Sequence, residues 1–356
     1  MNIKMSFENK AKKALINSIC TLLENNPENN IPKIFKLSKT LIKDSVTKRI
    51  LADFEKYYQE KPIIKAYINN SLAHINPEIK RNIFLNLINR NSKSLNKKSK
   101  YLPISAILNS NTSCNLGCLN CNIYNYKNKS ISFNDFDSVV KNIQKHDVNY
   151  IILLGGEPFL LDSMLDIFEN NKNIIFIPVT NGTLFTEKNS NKLLKCGNVI
   201  PIISLCNNKS NIDINYGNGT YNKIICGMKL LKEKGIPFGT LTAVNTSNLS
   251  IVTSNEFIDS LILNGSKFSI YSSSFCSNAP LNTSLTANER SILNQKVNTL
   301  RNTKPYFFID LFNDPKYVTQ IFTSDINTKS SFIFSKMPSN TIQSMPLENI
   351  LKLSSY

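Results

Sequence analysis

The fold of this chain is decided by the stretch Cys114-Asn-Leu-Gly-Cys118-Leu-Asn-Cys121 and by what precedes it. Shortly before it lies the apolar run Ile104-Ser-Ala-Ile-Leu108, which is typical of a buried β-strand. The three cysteines therefore belong to the loop at the carboxyl end of that strand, where Gly117 lets the chain fold back. This arrangement predicts that the three sulfurs point inward at one object.

Three thiolates suit a [4Fe-4S] cluster that keeps one iron open for a chelating ligand, because such clusters are held by cysteine sulfurs. A closed zinc site needs four ligands, so these cysteines alone are too few for one. A zinc site completed by a residue from elsewhere remains the alternative. His74 and His146 are the two histidines of the chain, and neither lies near the motif in sequence.

From residue 101 onward, short apolar runs rich in β-forming residues alternate with amphipathic helical patterns. The runs after the first one are Tyr150–Leu154, Ile174–Val179, Val199–Ser204, Phe238–Val244 and Phe268–Tyr271. Six strands separated by helices predict an α/β fold with a parallel sheet and right-handed crossovers. The length favours a full or partial barrel, in which functional sites gather at the carboxyl ends of the strands.

The region before the sheet carries helical patterns only. Pro32, Pro62 and Pro77 lie where its helices are expected to begin or end. The chain is therefore predicted to divide into a helical N-terminal domain with its linker (1–100), a core barrel (101–310) and a short C-terminal extension (311–356).

A second motif, Gly155-Gly156-Glu157-Pro158, follows the second predicted strand. Two glycines let a ligand approach the backbone closely, and the exposed carbonyls with a nearby carboxylate are acceptors that an ammonium group needs. An ordinary strand-to-helix turn is the structural alternative. The position of this motif after a buried strand and downstream of the cysteine loop favours a binding site, and we expect Glu157 to be exposed and functional.

Together the two motifs resemble the radical S-adenosylmethionine (SAM) superfamily. The resemblance covers residues 101–310 and extends to Thr180-Asn-Gly-Thr183 after the third strand and to Lys232–Gly239, where a helix ends and the fifth strand begins. It implies a partial (βα)6 TIM-like barrel after an all-α domain. The whole chain also resembles members with a helical N-terminal domain and a C-terminal extension of the SPASM or twitch type.

The resemblance implies that Cys114, Cys118 and Cys121 ligate the cluster, while the amino and carboxylate groups of SAM chelate its fourth iron. The residues implied to bind SAM are Gly155, Gly156, Glu157, Pro158, Asn181, Ser204 and Asn245. The Gly-Gly-Glu segment would receive the ammonium group and Ser204 would approach the ribose. The segment from Thr242 to Asn245 would lie near the adenine or the ribose.

The implied reaction begins when a flavodoxin or ferredoxin type donor reduces the cluster by one electron. SAM is then cleaved to methionine and a 5′-deoxyadenosyl radical, which abstracts hydrogen from an unidentified substrate or adds to it. This is oxidoreductase chemistry. The net charge of +17 is suited to docking an acidic electron donor.

Three departures from the family pattern stand out. Asn120 replaces the aromatic residue that often precedes the third cysteine, and Leu205-Cys206 replaces an acidic residue after strand four. No cysteine follows Cys276, so an auxiliary cluster in the extension is not expected. These departures keep open a degenerate member that binds the cluster, and perhaps SAM, as a partner or regulatory subunit without turnover.

The other five of the eight cysteines are dispersed. Cys20 and Cys226 are expected in helix cores, and Cys196 is expected to have a structural role at a helix end. Cys206 and Cys276 fall at strand ends facing the expected site, where a small buried residue is commoner than a ligand.

Composition excludes several other classes of protein. There is no apolar stretch of about 20 residues that could cross a membrane. The N-terminus lacks the apolar core of a signal peptide, so we expect a cytoplasmic protein. The one basic run, residues 92–100, has no interleaved aromatic residues, which argues against nucleic-acid binding.

Overall fold

The chain forms two compact units, residues 1–98 with 302–305 and residues 99–301 with 306–356. The structure is a computed structural model. It describes residues 14–25, 27–41, 48, 52, 55–56, 58–94, 105–109, 113–118, 133–145, 150–205, 212–214, 217–272 and 284–312. The predicted C-terminal extension lies outside these residues from position 313 onward.

The first unit is helical, in agreement with the apolar spacing of its sequence. Its helices span residues 14–24 (α1), Pro27–Leu41 (α2), Pro62–Ala73 (α3) and Pro77–Ser94 (α4). Their apolar faces pack into one core that is built from Ile19, Leu23, Ile31, Ile34, Phe35, Tyr58 and Ile68. The rings of Phe35 and Tyr58 meet edge to face, with their centroids 5.7 Å apart.

Two of the three predicted proline boundaries are observed, because Pro62 and Pro77 each begin a helix. The prediction for Pro32 is wrong, since this residue lies inside α2. Proline removes a backbone N–H from a helix interior and weakens it. Here Ile31 and Ile34 on either side of the ring are buried, so packing of the apolar face stabilises the helix despite the proline.

The second unit contains a seven-stranded sheet with the order β1-β2-β3-β4-β5-β6-β7. The strands span Ser105–Asn109, Tyr150–Leu154, Ile175–Thr180, Ile202–Ser204, Gly239–Ala243, Phe268–Ser272 and Phe307–Asp310. All neighbouring strands are parallel. The six predicted strands and the parallel α/β fold are confirmed, and β7 extends the sheet by one strand that the sequence analysis did not assign.

Helices follow the strands along the chain, as a parallel sheet requires. They span Phe133–Lys145 (α5), Ser163–Asn170 (α6), Glu187–Cys196 (α7), Thr220–Glu233 (α8), Leu249–Val252 (α9), Asn255–Leu263 (α10) and Ala287–Thr303 (α11). A capping box holds the start of α7, where the hydroxyl of Thr186 and the side chain of Asn189 each accept a backbone N–H of the other. No described helix is long and apolar enough to pass through a membrane.

Side chains on the two faces of the sheet have different surroundings. On one face, residues from five consecutive strands pack into a single cluster, which comprises Ile177, Val179, Ile202, Leu241, Phe268, Ile270, Ile309 and Leu311. On the other face, Phe176 of β3 packs against Phe168 of α6, with ring centroids 4.8 Å apart. Contact of alternate residues from so many strands indicates a curved sheet with an inner and an outer face.

Three of the dispersed cysteines lie in described helices. Cys20 is fully buried, as predicted. Cys196 is buried at the end of α7, where its thiol lies 3.8 Å from the carbonyl of Leu165, and burial raises the pKa of this thiol to about 11. The prediction for Cys226 is wrong, since this residue is exposed. The buried side of α8 is formed by other positions, which are Ile224, Gly227, Met228 and Leu231.

Candidate active site at the carboxyl ends of the strands

The cysteine loop follows β1, and residues 113–118 of it are described. The side chains of Cys114 and Cys118 are both half-buried. The backbone N–H of Leu116 donates to Cys114 Sγ at 3.5 Å. The third predicted ligand, Cys121, lies outside the described residues, and so do Cys206 and Cys276.

The Gly-Gly-Glu-Pro turn lies beside this loop. Gly155 has a φ of 126°, a backbone conformation that glycine adopts far more readily than other residues. The N–H of Glu157 donates to the carbonyl of Ser113 at 2.8 Å, which joins the turn to the cysteine loop. Pro158 begins a short 3₁₀ helix, Pro158–Leu160, which directs the chain away from the strand end.

The expectation that Glu157 is exposed is wrong, because this residue is fully buried. Its carboxylate accepts hydrogen bonds from the Phe159 N–H at 3.1 Å, the Thr180 hydroxyl at 2.7 Å and the Asn181 N–H at 2.8 Å. Burial raises the pKa of the Glu157 carboxyl, while the three hydrogen bonds lower it. The side chain therefore joins the turn after β2 to the turn after β3.

The turn after β3 is held by the side chain of Asn181. Its Oδ1 accepts the N–H of Thr183 at 2.9 Å and the hydroxyl of Thr183 at 2.6 Å. Its Nδ2 donates to Asn115 Oδ1 at 2.9 Å and lies 3.7 Å from Cys114 Sγ. Asn115 Nδ2 in turn donates to the Thr183 hydroxyl at 2.9 Å, so the turn and the cysteine loop share several bonds.

Ser204 and Asn245 lie one and two strands further along the sheet. Ser204 ends β4 and is half-buried. Asn245 follows β5, and its Oδ1 accepts the N–H groups of Ser247 at 2.9 Å and Asn248 at 3.1 Å. Thr242 is fully buried and donates to the Leu205 carbonyl at 2.8 Å, which ties β5 to β4.

The sequence analysis missed some members of this arrangement. Thr180 and Asn115 lie within the quoted motifs, but nothing in their spacing indicated that they bond to Glu157 and Asn181. Ser272 was also missed. It ends β6 on the same face as Ile270 and is 2% exposed, and its hydroxyl has no hydrogen-bond partner among the described residues. A serine at the carboxyl end of a barrel strand is the signal that could have identified it.

The described residues contain no group of three or more His, Cys, Asp or Glu side chains that could hold a metal ion. Two of the three predicted cluster ligands are among them. Cys114 and Cys118 fit the role, because both thiols belong to one loop and both are partly exposed to solvent. Donors point at Cys114 Sγ from Leu116 and Asn181, and such donors favour a thiolate, which is the form that binds iron.

Comparison with known proteins confirms the predicted resemblance. Residues 108–258 match the family model of the Radical SAM superfamily. This interval begins in β1 and ends in α10, so it includes the cysteine loop, the Gly-Gly-Glu-Pro turn and the Asn181 turn.

Individual relatives match more distantly. The chain is 31% identical over 175 residues to the uncharacterized protein MJ0907 of Methanocaldococcus jannaschii, a match that covers 45% of this chain and 59% of that relative. SuiB of Streptococcus suis bound to S-adenosylmethionine has a TM-score of 0.50 at 16% identity, over 74% of this chain and 62% of SuiB. The structure of anSMEcpe with bound AdoMet and the Kp18Cys peptide has a TM-score of 0.55 at 18% identity, over 70% of this chain and 80% of that one. At these identities the likeness shows the shared fold.

Proposed function

We propose that this protein, which carries a radical SAM domain over residues 108–258, is an enzyme that cleaves SAM reductively with a [4Fe-4S] cluster. Cys114, Cys118 and Cys121 are the proposed cluster ligands. One observation carries the proposal: the cysteine loop is hydrogen-bonded both to the Gly-Gly-Glu-Pro turn and to the Asn181 turn. The loop is therefore held in place by the elements that are proposed to bind SAM.

The residues of the chain have separate tasks in this proposal. Gly155 and Gly156 present backbone carbonyls to the ammonium group of SAM, while the buried Glu157 side chain fixes the turn that carries them. Ser204 and Asn245 lie where the ribose and adenine would extend along the strand ends. When bound, the cluster supplies the electron that breaks the carbon–sulfur bond of SAM and gives methionine and a 5′-deoxyadenosyl radical.

The inner face of the sheet protects such a radical from water. The cluster around Ile202, Ile270 and Ile309 fills the space below the strand ends with apolar side chains. These apolar side chains offer water few hydrogen-bond partners, which suits an intermediate that reacts with its surroundings. The substrate would approach from the open side at the strand ends.

The proposed electron donor is an acidic protein of the flavodoxin or ferredoxin type. The formal net charge of +17 favours encounter with such a donor at low ionic strength. Donor-dependent turnover is therefore expected to fall as salt is added, because screening shortens the range of this attraction. Turnover that is independent of ionic strength would exclude charge-guided docking.

Anaerobic reconstitution with iron and sulfide tests the proposal. The wild-type protein is expected to bind about four irons per chain and to release 5′-deoxyadenosine from SAM under dithionite. Serine variants of Cys114, Cys118 and Cys121 are expected to lose both. Cys226→Ser is the matched control, because this cysteine is exposed on α8 and lies outside the proposed site.

Two outcomes would replace the proposal. A cluster that forms without any cleavage of SAM identifies a partner or regulatory subunit, a reading motivated by the missing acidic residue at Leu205-Cys206. A colourless protein that binds zinc through the same cysteines excludes radical chemistry altogether.

A further inference from the structure

We infer that Asn181 is a positioning residue, whose side chain hydrogen-bonds to the sulfur of Cys114 and raises the reduction potential of the cluster. This inference rests on the proposed function, since it requires Cys114 to be a cluster ligand. It is drawn from one distance, 3.7 Å between Asn181 Nδ2 and Cys114 Sγ, and from the bonds that fix the orientation of the amide.

The orientation of the Asn181 amide follows from its partners. The N–H of Thr183 can only donate, and it lies 2.9 Å from Asn181 Oδ1, so this atom must be the oxygen. The other end of the amide is therefore the NH₂ group. It lies 2.9 Å from Asn115 Oδ1 and faces Cys114 Sγ, so its two protons have two acceptors.

The position of Asn181 is held from below by the buried carboxylate of Glu157. Glu157 accepts the Asn181 N–H at 2.8 Å and also accepts the hydroxyl of the preceding residue, Thr180. The two turns cannot separate without removing two of the hydrogen bonds that this buried carboxylate accepts, which is costly. The amide is therefore held next to the sulfur by bonds within the protein.

A donor at this place changes the energy of the two oxidation states unequally. The reduced cluster carries one more negative charge than the oxidised cluster, and that charge is partly on the sulfurs. An N–H dipole directed at a ligand sulfur therefore stabilises the reduced state more, so the reduction potential rises. The Leu116 N–H acts on the same sulfur at 3.5 Å, but only Asn181 offers a side chain that can be replaced.

The test is an anaerobic redox titration of the reconstituted protein, followed by EPR of the reduced cluster. Asn181→Asp keeps an oxygen that accepts the Thr183 N–H but removes the N–H donor, and Asn181→Ala removes the donor without adding charge. Both variants are expected to have a midpoint potential below that of the wild type, with the aspartate variant the lower of the two.

Asn76 provides the matched control in the helical unit. Its Oδ1 also accepts the N–H of the residue two positions on, Glu78, at 2.9 Å. Asn76→Asp and Asn76→Ala therefore make the same chemical changes in the same kind of turn. Both are expected to leave the midpoint potential unchanged.

The outcomes separate this inference from the proposed function. If the wild type binds no cluster, the proposed function fails. If the Asn181 variants bind about four irons per chain and titrate at the wild-type potential, only the inference is overturned. If those variants bind no cluster, pulsed EPR of wild-type protein labelled with ¹⁵N in its asparagine side chains decides. A ¹⁵N coupling to the reduced cluster that persists when Asn115, Asn120 and Asn122 are replaced by serine supports the inference, and its absence overturns it.

Discussion

Two of the hydrogen-bond networks that are buried in the sheet unit differ in the groups that form them. The network at the strand ends links Glu157, Thr180 and Asn181 and finishes on the half-buried sulfur of Cys114. The second lies on the outer face of the sheet between β5, β6 and the residue before β7. Its members are the hydroxyl groups of Thr240, Ser266, Ser269 and Tyr306.

The second network consists of hydroxyl groups that bond to one another, with one further bond from Ser266 Oγ to the Phe268 carbonyl at 3.2 Å. Ser269 Oγ lies 2.7 Å from Thr240 Oγ1 and 3.0 Å from the Tyr306 hydroxyl, which lies 2.6 Å from Ser266 Oγ. Each of these hydroxyls can donate or accept, so the bonds can rearrange without loss. All four residues are buried, and burial raises the pKa of Tyr306 to about 12.

The network at the strand ends has no such freedom. Backbone N–H groups only donate, the Glu157 carboxylate only accepts, and the Asn181 amide has one orientation that satisfies its partners. The comparison shows that the hydroxyl network joins strands, whereas the strand-end network fixes the orientation of the side chains that form it. A binding site needs such fixed orientations, because its ligating side chains must be held in place by the residues around them.

Removing the central acceptor of the strand-end network is expected to have the largest effect. Glu157→Ala leaves two backbone N–H groups and one hydroxyl without their acceptor in the interior. We expect a loss of about 3 kcal/mol or more in the free energy of unfolding, together with loss of bound iron. Urea unfolding and an iron assay measure the two quantities, and normal iron content in the folded variant would contradict the assigned role.

A change in the packing of α8 is expected to disturb the strand-end network less than Glu157→Ala does. A Cβ atom at Gly227 of α8 would lie 2.6 Å from the Gly182 carbonyl oxygen and 3.0 Å from Phe185 Cδ2. Gly227→Ala is therefore expected to cost about 1–3 kcal/mol and to weaken SAM binding, because the helix must move away from the Asn181 turn. Cys226→Ala, on the exposed side of the same helix, should alter neither unfolding nor SAM affinity measured by calorimetry.

The hydroxyl network should affect stability alone. Tyr306→Phe removes the bonds to Ser266 and Ser269 and is expected to cost about 1–2 kcal/mol at neutral pH, with iron content unchanged. The pKa of the buried phenol is raised from 10.0 to about 12, so its contribution to stability is complete below pH 10 and is lost as pH rises through 12.

The stability difference between the wild type and Tyr306→Phe should therefore shrink from pH 10 upward by about 1.4 kcal/mol for each pH unit, reach zero at about pH 11, and favour the phenylalanine variant from there to pH 12. Chemical unfolding across this pH range measures it. A constant difference would show that the phenol ionises equally in the folded and unfolded chains.

The smallest effect is expected from alkylation of the cysteine thiols on the helices. Native protein treated with iodoacetamide is expected to be alkylated at Cys226, which is exposed, while Cys196 stays unmodified. Burial and a pKa of about 11 keep the Cys196 thiol protonated and out of reach. Peptide mass spectrometry identifies the labelled residues, and modification of Cys196 before unfolding would contradict its structural role.

The sequence was sufficient to predict those elements that neighbouring residues specify. Apolar runs separated by helical patterns predict six strands, because a parallel strand that is buried on both faces consists almost entirely of apolar residues. The last strand was missed since Phe307-Phe-Ile-Asp310 has only four residues and was not recognised as a strand. The inward face of α8 was assigned wrongly at Cys226, because a helical phase cannot be set from a nearly continuous apolar run.

The site was predictable as a set of motifs but not as a network. Spacing identifies the cysteine loop and the Gly-Gly-Glu-Pro turn. The partners of Glu157, however, lie 23 and 24 positions further along the chain, in a turn that packs beside it only after β3 has joined the sheet. The same distance in sequence explains why Glu157 was expected on the surface, since a strand-end carboxylate gives no local sign of its partners.

The bonds around Cys114 also set an order of events during synthesis. One donor to its sulfur is the Leu116 N–H of the cysteine loop itself, another is Asn181 of the Thr180–Thr183 turn, and Glu157 lies between them in sequence. A nascent chain that has not yet been extended through Thr183 has the bond from Glu157 to Ser113 at most, and it lacks the bonds that Asn181 and Thr183 make to the loop. We expect the delivery of iron and sulfide to be productive only after the third strand has left the ribosome.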